Sequence, residues 1–357
     1  MGKKFSNTII QWHQDHPRPL AWKKTKDPYH IWLSEIILQQ TRVEQGTPYY
    51  LKFIRHYPTV ADLAKAPIER VLKDWEGLGY YSRARNLHAT AQYIHKELHG
   101  VFPNSYTSIL QLKGIGPYTA AAIASFAFDL PHAVLDGNVF RVLARYFGIF
   151  TPIDSTPGKK EFQQLADELL PPDQAALYNQ AIMNFGALRC TPKLPKCSDC
   201  PLKAQCYAWN KDSISFLPSK KNKLAKKDRF FNYFVITHSD KLMIHQREQQ
   251  DIWKGLYEFP LIESYQALDR ADILNLLKTK GVETAPKDLT LLDERKQTLS
   301  HRVIKAKFFK LELNKQNYQL LFKQGVAIER SQLSQFAFPV IIREFLGQNK
   351  VQSKFLF

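Results

Sequence analysis

Residues 112–121 read LKGIGPYTAA and connect two segments whose apolar residues recur at helical spacing. Gly114 and Gly116 flank a single apolar residue, which allows a tight turn with outward-pointing backbone N–H groups. Pro117 is suited to the first turn of the helix that follows. Because free N–H groups at a helix N-terminus attract anions, this turn is a candidate anion site. A lone G-x-G also occurs in ordinary helix connections, so the ligand must be argued from other features.

The overall charge of the chain indicates which class of ligand it attracts. The chain of 357 residues carries 50 lysines and arginines against 33 aspartates and glutamates, a formal net charge of +17. This excess predicts attraction to a polyanion, which could be DNA, RNA or an anionic membrane surface. No apolar run reaches the roughly 18 residues of a membrane span, and we expect no membrane partner. Charge and turn together resemble a helix-hairpin-helix, which grips a DNA phosphate without reading the base sequence.

The cysteines form one cluster. Cys190, Cys197, Cys200 and Cys206 fall within 17 residues with the spacing C-x6-C-x2-C-x5-C. Residues 1–6 lack the apolar core of a signal peptide, so we expect a cytoplasmic protein with reduced thiols. The four thiols then indicate a metal site, either tetrahedral zinc or a [4Fe–4S] cluster. The single close C-x2-C pair favours the cluster, because zinc ribbons usually carry two such pairs. Four unligated cysteines is the remaining alternative.

A change in composition along the chain predicts two domains. Residues 28–210 show helical periodicity almost throughout, and we assign residues 1–215 to an all-α domain. Residues 219–229 read SKKNKLAKKDR, so 216–229 is interpreted as an exposed basic linker that is also able to touch DNA. Residues 230–357 are expected to form an α+β domain. Its predicted elements are strands at Phe230–Thr237, Leu242–His245 and Val303–Leu313 and helices at 266–280 and 331–346.

Two carboxylates are candidates for chemistry. Glu35 lies on an otherwise apolar helix face, where burial would raise its pKa from about 4.3 toward neutrality and let it donate a proton. A solvated or ion-paired glutamate is the alternative. Asp136 follows an apolar run and precedes a helix, so it is expected to cap that helix. A cap can also serve in catalysis, and the two roles are compatible.

These features together resemble a known superfamily. A helical domain with this hairpin, an aspartate like Asp136 and this cysteine spacing resembles the helix-hairpin-helix DNA glycosylases of the endonuclease III type. Residues 28–43, PYHIWLSEIILQQTRV, resemble the signature of the MutY-type adenine DNA glycosylases. The resemblance implies base flipping, with Glu35 as the general acid that protonates adenine and Asp136 as the carboxylate that stabilises the sugar cation. Tyr118 stands where bifunctional relatives carry a lysine. Since a phenol cannot form a Schiff base, strand cleavage is not expected as the main reaction.

The resemblance implies further contacts with DNA. Residues matching those that fill and wedge the duplex near the lesion are Gln40, Thr41, Leu78 and Tyr80. Residues matching the adenine pocket are Trp22, Lys23 and Gln180, with Lys23 in place of the more usual arginine. The hairpin glycines Gly114 and Gly116 would bind a DNA phosphate.

The C-terminal domain carries a second resemblance. Residues 253–260, WKGLYEFP, resemble a segment of Nudix-like folds. The R-E-x-x-E-E carboxylates that hold magnesium in Nudix hydrolases do not follow, so nucleotide hydrolysis is not expected. The domain then resembles the family's recognition module for 8-oxoguanine, the lesion opposite the target adenine. Residues 298–302, TLSHR, match a Phe-Ser-His motif with a leucine in place of the aromatic residue, and Ser300 and His301 would contact the lesion. Without the family, these two residues are an ordinary polar loop.

The resemblance spans about residues 10–345. It implies a multidomain protein with an all-α helix-hairpin-helix glycosylase domain, an iron–sulfur cluster loop over 190–206 and a C-terminal α+β Nudix-like domain. The expected function is monofunctional removal of adenine mispaired with 8-oxoguanine or guanine in double-stranded DNA, by a monomer in the cytoplasm, nucleoid-associated in a bacterium. Three alternatives stay open: a thymine-type mismatch glycosylase of the same fold, a Nudix hydrolase of oxidised nucleotides and a non-catalytic, cluster-bearing DNA-binding protein.

Overall fold

The chain divides into two units. The computed structural model describes residues 2–221, 225–238, 241–248, 250–282, 284–311, 313 and 325–348. The helical unit comprises Met1–Lys65 and Asn86–Asn222, and the mixed unit comprises Ala66–Arg85 and Lys223–Phe357. The sequence pattern placed a single boundary, at residues 216–229. The contacts also group Ala66–Arg85 with the C-terminal half, because an association between distant segments leaves no local pattern.

The first part of the chain is helical, as the sequence predicted. Helix α5 belongs to the mixed unit, and α6 runs from one unit into the other. No helix among the described residues is both long and apolar enough to cross a bilayer. The helices are α1 (Gly2–Asp15), α2 (Pro28–Leu38), α3 (Val43–His56), α4 (Val60–Lys65), α5 (Ile68–Asp74), α6 (Ser82–Glu97), α7 (Tyr106–Leu110), α8 (Pro117–Phe128), α9 (Gly137–Phe147), α10 (Thr156–Leu169), α11 (Ala175–Leu188) and α12 (Tyr207–Asn210).

Helix α2 is buried along most of its length. Asp27 caps the helix by accepting a hydrogen bond from the Tyr29 N–H at 2.8 Å. Pro28 occupies the first turn, where its missing N–H costs nothing. Beyond the cap, almost every residue is apolar and buried, and Glu35 is buried among them. The helix therefore places a carboxyl group inside the protein.

The predicted hairpin joins α7 to α8. Gly116 precedes Pro117, the first residue of α8. Gly114 adopts a left-handed conformation with φ +81°, and a Cβ at this position would lie 2.7 Å from Cβ of Asn86. Glycine is required here because it tolerates both the backbone conformation and the close approach. Both glycines are exposed at the surface.

A buried amide organises the segment between α8 and α9. Asn179, on α11, is only 1% exposed. Its amide nitrogen donates to Ser125 Oγ at 2.9 Å and to the His132 carbonyl at 2.8 Å, and its oxygen accepts from the Val134 N–H at 3.1 Å. These bonds satisfy backbone groups that would otherwise be buried without partners. They also fix the backbone that leads directly into Asp136.

The mixed unit is built on a four-stranded sheet of order β5-β1-β7-β6. Strand β1 (Lys227–Val235) pairs antiparallel with β5 (Leu261–Ser264) and parallel with β7 (Arg302–Leu311). Strand β6 (Leu289–Thr298) forms an antiparallel hairpin with β7. In the second sheet, the central strand pairs with the other three; its strands are β2 (Thr237–His238), the central β3 (Lys241–Gln246), β4 (Tyr257–Glu258) and β8 (Val326–Ile328). Helices α13 (Arg270–Thr279) and α14 (Val340–Gln348) complete the unit.

The C-terminal half is α+β, as predicted, and the short strands β4, β5 and β8 add to the strands expected. Three further differences have a physical reason. Strand β1 begins at Lys227, inside the segment interpreted as a linker, because pairing with β7 extends it. Strand β6 was not predicted, since its residues are largely polar and only alternate ones face inward. The helix predicted over 331–346 is interrupted near Pro339 and consists of a 3-10 helix, Arg330–Gln335, followed by α14.

We predict that Asn179→Ala lowers the free energy of unfolding by about 2–4 kcal/mol, because it removes three hydrogen bonds and leaves the buried Val134 N–H without a partner. Urea unfolding followed by circular dichroism measures the change. Gln163→Ala is the matched control, since Gln163 bonds to Asp167 on an exposed face of α10 and should cost less than about 0.5 kcal/mol. Equal stability of the Asn179 variant and the wild type would contradict this account.

Candidate active site

The predicted catalytic residues meet in one cavity of the helical unit. The cavity has a volume of about 210 Å³. Glu35, Tyr118 and Asp136 line it, although they come from three separate helices or helix starts. It is also lined by the predicted residues Trp22, Lys23, Thr41 and Gln180, and by Arg18, Asn138 and Asn184, which the sequence analysis did not single out.

Glu35 has the electrostatics of a proton donor. Its side chain is buried on α2, and the Tyr118 hydroxyl donates a hydrogen bond to Glu35 Oε2 at 2.6 Å. Burial raises the pKa of Glu35 to about 7; the Tyr118 hydrogen bond opposes this rise and the nearby Asp136 charge adds to it. Burial likewise raises the pKa of Tyr118 well above its usual value, so the phenol keeps its proton. A substantial fraction of Glu35 is therefore protonated near neutral pH.

Asp136 is surrounded by N–H donors. As the cap of α9 it accepts hydrogen bonds at Oδ1 from the backbone N–H groups of Asn138 (2.8 Å) and Val139 (2.7 Å). Its other oxygen accepts from the Asn138 side-chain amide at 2.7 Å. Burial raises the pKa of Asp136, while these bonds to the charged form limit the rise. The two carboxyl groups of the cavity thus differ, because one accepts from a hydroxyl and the other from three N–H groups.

A chain of hydrogen bonds links Asp136 to the cysteine loop. Arg141, buried on α9, donates from Nη2 to Asn138 Oδ1 at 2.9 Å and from Nε to the Cys190 carbonyl at 2.7 Å. The Asn138 amide in turn holds the Asp136 carboxylate. The sequence analysis missed both Asn138 and Arg141. Asn138 and Arg141 lie three residues apart on one face of α9, where their side chains can meet, and this spacing was the available sequence signal. An arginine is seldom buried unless such a partner is present.

The four cysteines face a common cavity, the candidate metal centre. All four are partly buried around this cavity, together with Arg145, Arg189 and Lys196. Arg145 approaches the Cys190 sulfur at 3.5 Å. Burial raises the pKa of the Cys200 thiol to about 11 and also raises those of Cys197 and Cys206. In the described part of the chain, no three His, Cys, Asp or Glu side chains converge as ligands of one metal ion.

This set of donors fits an iron–sulfur cluster. Four thiols around one cavity supply the four ligands that a [4Fe–4S] cluster takes, one for each iron. Cationic side chains around the cavity stabilise thiolates and the negative charge that a thiolate-bound cluster carries.

The lysine expected in the adenine pocket has a shifted pKa. Lys23 lies in a 3-10 helix, Ala21–Lys24, and lines the cavity. Burial lowers its pKa to about 8, with a further contribution from the neighbouring charge of Arg18. Gln40 lies outside the cavity wall, exposed, with φ +54° at the end of α2. Of the residues expected to fill the duplex, Thr41 faces the cavity, whereas Gln40 is presented at the surface.

The residues expected at the lesion line a second cavity, in the mixed unit. This cavity has a volume of about 550 Å³, and its walls include Leu78, Tyr80, Ser300 and His301. Leu78 is buried, whereas Tyr80 is 46% exposed and adopts a left-handed conformation with φ +48°. The Tyr80 hydroxyl forms a hydrogen bond with Ser300 Oγ. The fold therefore joins two predicted segments that lie 220 residues apart in the chain.

The carboxylates in and directly after the Nudix-like segment 253–260 are paired with arginines. Arg229 binds Glu263 through two hydrogen bonds, of 2.5 and 2.6 Å. Arg247 binds Glu258 at 2.8 Å, and the Tyr233 hydroxyl also donates to Glu258. The negative charge near residues 253–260 is thus matched by guanidinium groups of the protein itself.

Comparisons with known proteins agree with both units. Residues 33–172 match the HhH-GPD superfamily base excision DNA repair protein family, and residues 232–348 match the NUDIX domain family. A solved structure of a thermostable thymine-DNA glycosylase is similar to this chain, with a TM-score of 0.55, 32% identity and coverage of 59% of this chain and 97% of that one. An endonuclease III–DNA complex shares the fold, with a TM-score of 0.52, 21% identity and coverage of 59% of this chain and 98% of that one.

Curated relatives extend the match over most of the chain. The adenine DNA glycosylase of Buchnera aphidicola subsp. Baizongia pistaciae is 37% identical over 300 residues, which cover 83% of each chain. The adenine DNA glycosylase of Homo sapiens is 39% identical over 213 residues, 57% of this chain and 39% of the relative. The resemblance to the MutY-type adenine DNA glycosylases is confirmed, and the chain belongs to the adenine DNA glycosylase family.

Proposed function

We propose that this protein hydrolyses the N-glycosidic bond of adenine in double-stranded DNA, where the adenine is mispaired with 8-oxoguanine or guanine, and leaves an abasic site. The observation that carries the proposal is the arrangement of Glu35, Tyr118 and Asp136 in one cavity, with one carboxyl group able to donate a proton at neutral pH. Because the chain belongs to the adenine DNA glycosylase family, we propose adenine as the base that is removed. The reaction is base excision, the first step in repairing a mispair.

Glu35 begins the reaction as a general acid. Its proton passes to N7 of an adenine that has left the base stack to reach the cavity. The bond between C1′ and N9 then breaks, and its electron pair stays with adenine, which departs as a neutral base. Without protonation adenine would depart as an anion. The proton transfer therefore lowers the barrier and raises the rate about 10²–10⁴-fold.

Asp136 stabilises the positive charge that the sugar acquires. An oxocarbenium-like state develops at C1′, and a carboxylate nearby lowers its energy. The three N–H groups that bind Asp136 hold this carboxylate in place. Water adds to C1′ and gives its proton to the Glu35 carboxylate, which restores the acid for the next cycle.

Tyr118 supports a monofunctional reaction. Its phenol keeps its proton and donates to Glu35, and a phenol has no amine with which to form a Schiff base. Trp22, Lys23 and Gln180 line the same cavity and are the proposed contacts of the adenine ring. The excess positive charge and the exposed hairpin glycines would bind the DNA backbone.

The cavity of the mixed unit is the proposed site for the base opposite adenine. Ser300 and His301 line this cavity and are exposed, and Tyr80 contacts Ser300. A serine hydroxyl and a histidine ring can accept or donate hydrogen bonds at the oxidised edge of 8-oxoguanine.

The proposed cofactor is a [4Fe–4S] cluster on Cys190, Cys197, Cys200 and Cys206. When bound, the cluster would act as a structural centre that folds the loop 190–206 around four thiolates. Arg141 joins the Cys190 carbonyl to Asn138 and so connects the order of this loop to the position of Asp136. The monomeric state and the cytoplasmic or nucleoid location remain predictions from the sequence.

We expect Glu35→Gln to lower the single-turnover rate of adenine release by at least about 10²-fold, because glutamine keeps the size of the side chain but cannot donate the proton. Binding to a duplex with adenine opposite 8-oxoguanine should stay within a few-fold of the wild type. The rate is measured by alkaline cleavage of the abasic product, and binding by fluorescence anisotropy. Wild-type rates in this variant would remove Glu35 from its assigned role, and a wild type that releases no adenine would refute the function itself.

The pH dependence of the reaction gives an independent test. Since the general acid must be protonated and its pKa is about 7, the rate should fall about tenfold per pH unit above this value. Tyr118→Phe removes a hydrogen bond that favours the charged form of Glu35, so the falling limb should move to higher pH. Tyr93→Phe, a half-exposed tyrosine on α6, is the control and should leave the profile unchanged. A limb that stays in place or moves to lower pH in Tyr118→Phe would contradict the assignment.

A double substitution tests the lesion contact. Ser300→Ala combined with His301→Ala should reduce the preference for adenine opposite 8-oxoguanine over adenine opposite guanine, because the polar groups that read the oxidised edge are gone. The ratio of the two single-turnover rates is the measured quantity. An unchanged ratio would mean that another part of the protein reads the lesion.

A further inference from the structure

One carboxylate in the mixed unit, that of Asp251, forms ion pairs with three arginines. Asp251 Oδ1 accepts from Arg302 at 2.7 Å, and its Oδ2 accepts from Arg229 at 2.5 Å and from Arg247 at 3.3 Å. Burial alone would raise the pKa of Asp251, but hydrogen bonds from the Ile252 N–H, Arg229 and Arg302 lower it to about 2. Asp251 is therefore ionised at neutral pH.

The three arginines do not depend on Asp251 equally. Arg229 also binds Glu263, and Arg247 also binds Glu258. Arg302 has no second carboxylate partner among the ion pairs of the described residues. It is also the most exposed of the three, at 41% against 15% for Arg229 and 3% for Arg247. Loss of the Asp251 charge would therefore release Arg302 first.

Arg302 stands at the base of the proposed lesion-reading turn. Strands β6 and β7 are joined by Leu299, Ser300 and His301, and the turn is closed by the Leu299 N–H, which donates to the Arg302 carbonyl at 2.8 Å. The His301 carbonyl accepts from the Lys227 N–H at 3.2 Å. These bonds hold the backbone at the base of the turn, whereas Ser300 and His301 are exposed at its tip.

Asp251 lines the same cavity as the turn. Asp251, Ile252 and Trp253 line the 550 Å³ cavity together with Arg302 and the turn. The ion pair between Asp251 and Arg302 therefore connects the segment 251–253 to the first residue of β7 in the wall of one cavity. A site that distinguishes closely similar bases needs its polar groups held in place, since 8-oxoguanine differs from guanine only at N7 and C8.

We propose that Asp251 is a positioning residue for lesion recognition: through Arg302 it holds the turn of Ser300 and His301 in the orientation that discriminates 8-oxoguanine from guanine. This inference rests on the proposed function of the turn. Asp251 touches no reacting atom, so its removal should change the preference between opposite bases without changing the chemistry at adenine. A purely structural role would instead lower the rates for both duplexes together.

The test compares Asp251→Asn with a matched control, Asp228→Asn. Asp228 neighbours Arg229 on β1 and pairs with Lys305 on β7 at 2.5 Å, with both side chains 43% exposed. The control thus removes a carboxylate charge that, like that of Asp251, pairs with a cation on β7, but it lies outside the residues that line the cavity. Single-turnover adenine release is measured on full-length protein with duplexes carrying adenine opposite 8-oxoguanine or opposite guanine.

The expected result is a fall of about tenfold in the rate ratio of the two duplexes for Asp251→Asn, the loss expected when a charge-assisted hydrogen bond is removed. The rate opposite guanine should stay within about twofold of the wild type, as should both rates for Asp228→Asn. Hydrogen exchange at the Leu299 amide should be faster in Asp251→Asn and unchanged in the control, because the turn is less constrained.

A second pair of variants covers the case in which Asp251→Asn fails to fold. Arg302→Gln leaves Asp251 paired with Arg229 and Arg247 and should lower the ratio similarly, while Arg302→Lys, which keeps the ion pair, should retain most of the preference. A wild type without adenine release would refute the proposed function. A wild type that prefers 8-oxoguanine, with the same preference in Asp251→Asn or Arg302→Gln, would refute only the positioning role.

Discussion

Burial of the Glu35 carboxyl group is the constraint on which the candidate active site depends. Helix α2 is apolar on nearly every side, so the carboxyl group loses the water that would otherwise stabilise its charge. The Tyr118 hydroxyl supplies one hydrogen bond in return, and the pKa settles near neutrality rather than higher. The hairpin is part of this arrangement, because Gly114 and Gly116 set the turn from which α8 starts and Tyr118 is the second residue of α8.

The second carboxylate is held by a polar chain that crosses the helical unit. Asp136, Asn138, Arg141 and the Cys190 carbonyl follow one another through hydrogen bonds of 2.7–2.9 Å. Removing any member would leave a buried donor or acceptor without a partner, which is costly in a protein interior. The cysteine loop and Asp136 are therefore connected through one chain of hydrogen bonds. The proposed cluster would order the loop at one end of this chain.

In the mixed unit, the carboxylates in and near residues 253–260 form ion pairs with arginines. Glu258 and Glu263 bind arginines, and Asp251 binds three of them. Matched charges of this kind fix side chains rather than attract a cation, because each carboxylate already has its counter-charge. The ion pairs thereby fix side chains around the cavity of this unit. Ser300, which contacts Tyr80, and the exposed His301 are its proposed contacts with a base.

The amino-acid sequence by itself determined the helical first half, the α+β second half, the hairpin, the cysteine cluster and the two carboxylates, because each depends on local spacing or on residue type. It did not determine β6, whose polar residues hide its pairing, or the addition of Ala66–Arg85 to the mixed unit. Only the tertiary structure placed Tyr80 against Ser300, Arg141 between Asn138 and Cys190, and Asp251 beside Arg302. Apart from the link between Asn138 and Arg141, which are neighbours on one helix face, these contacts join residues far apart in the chain, and side-chain packing decides them.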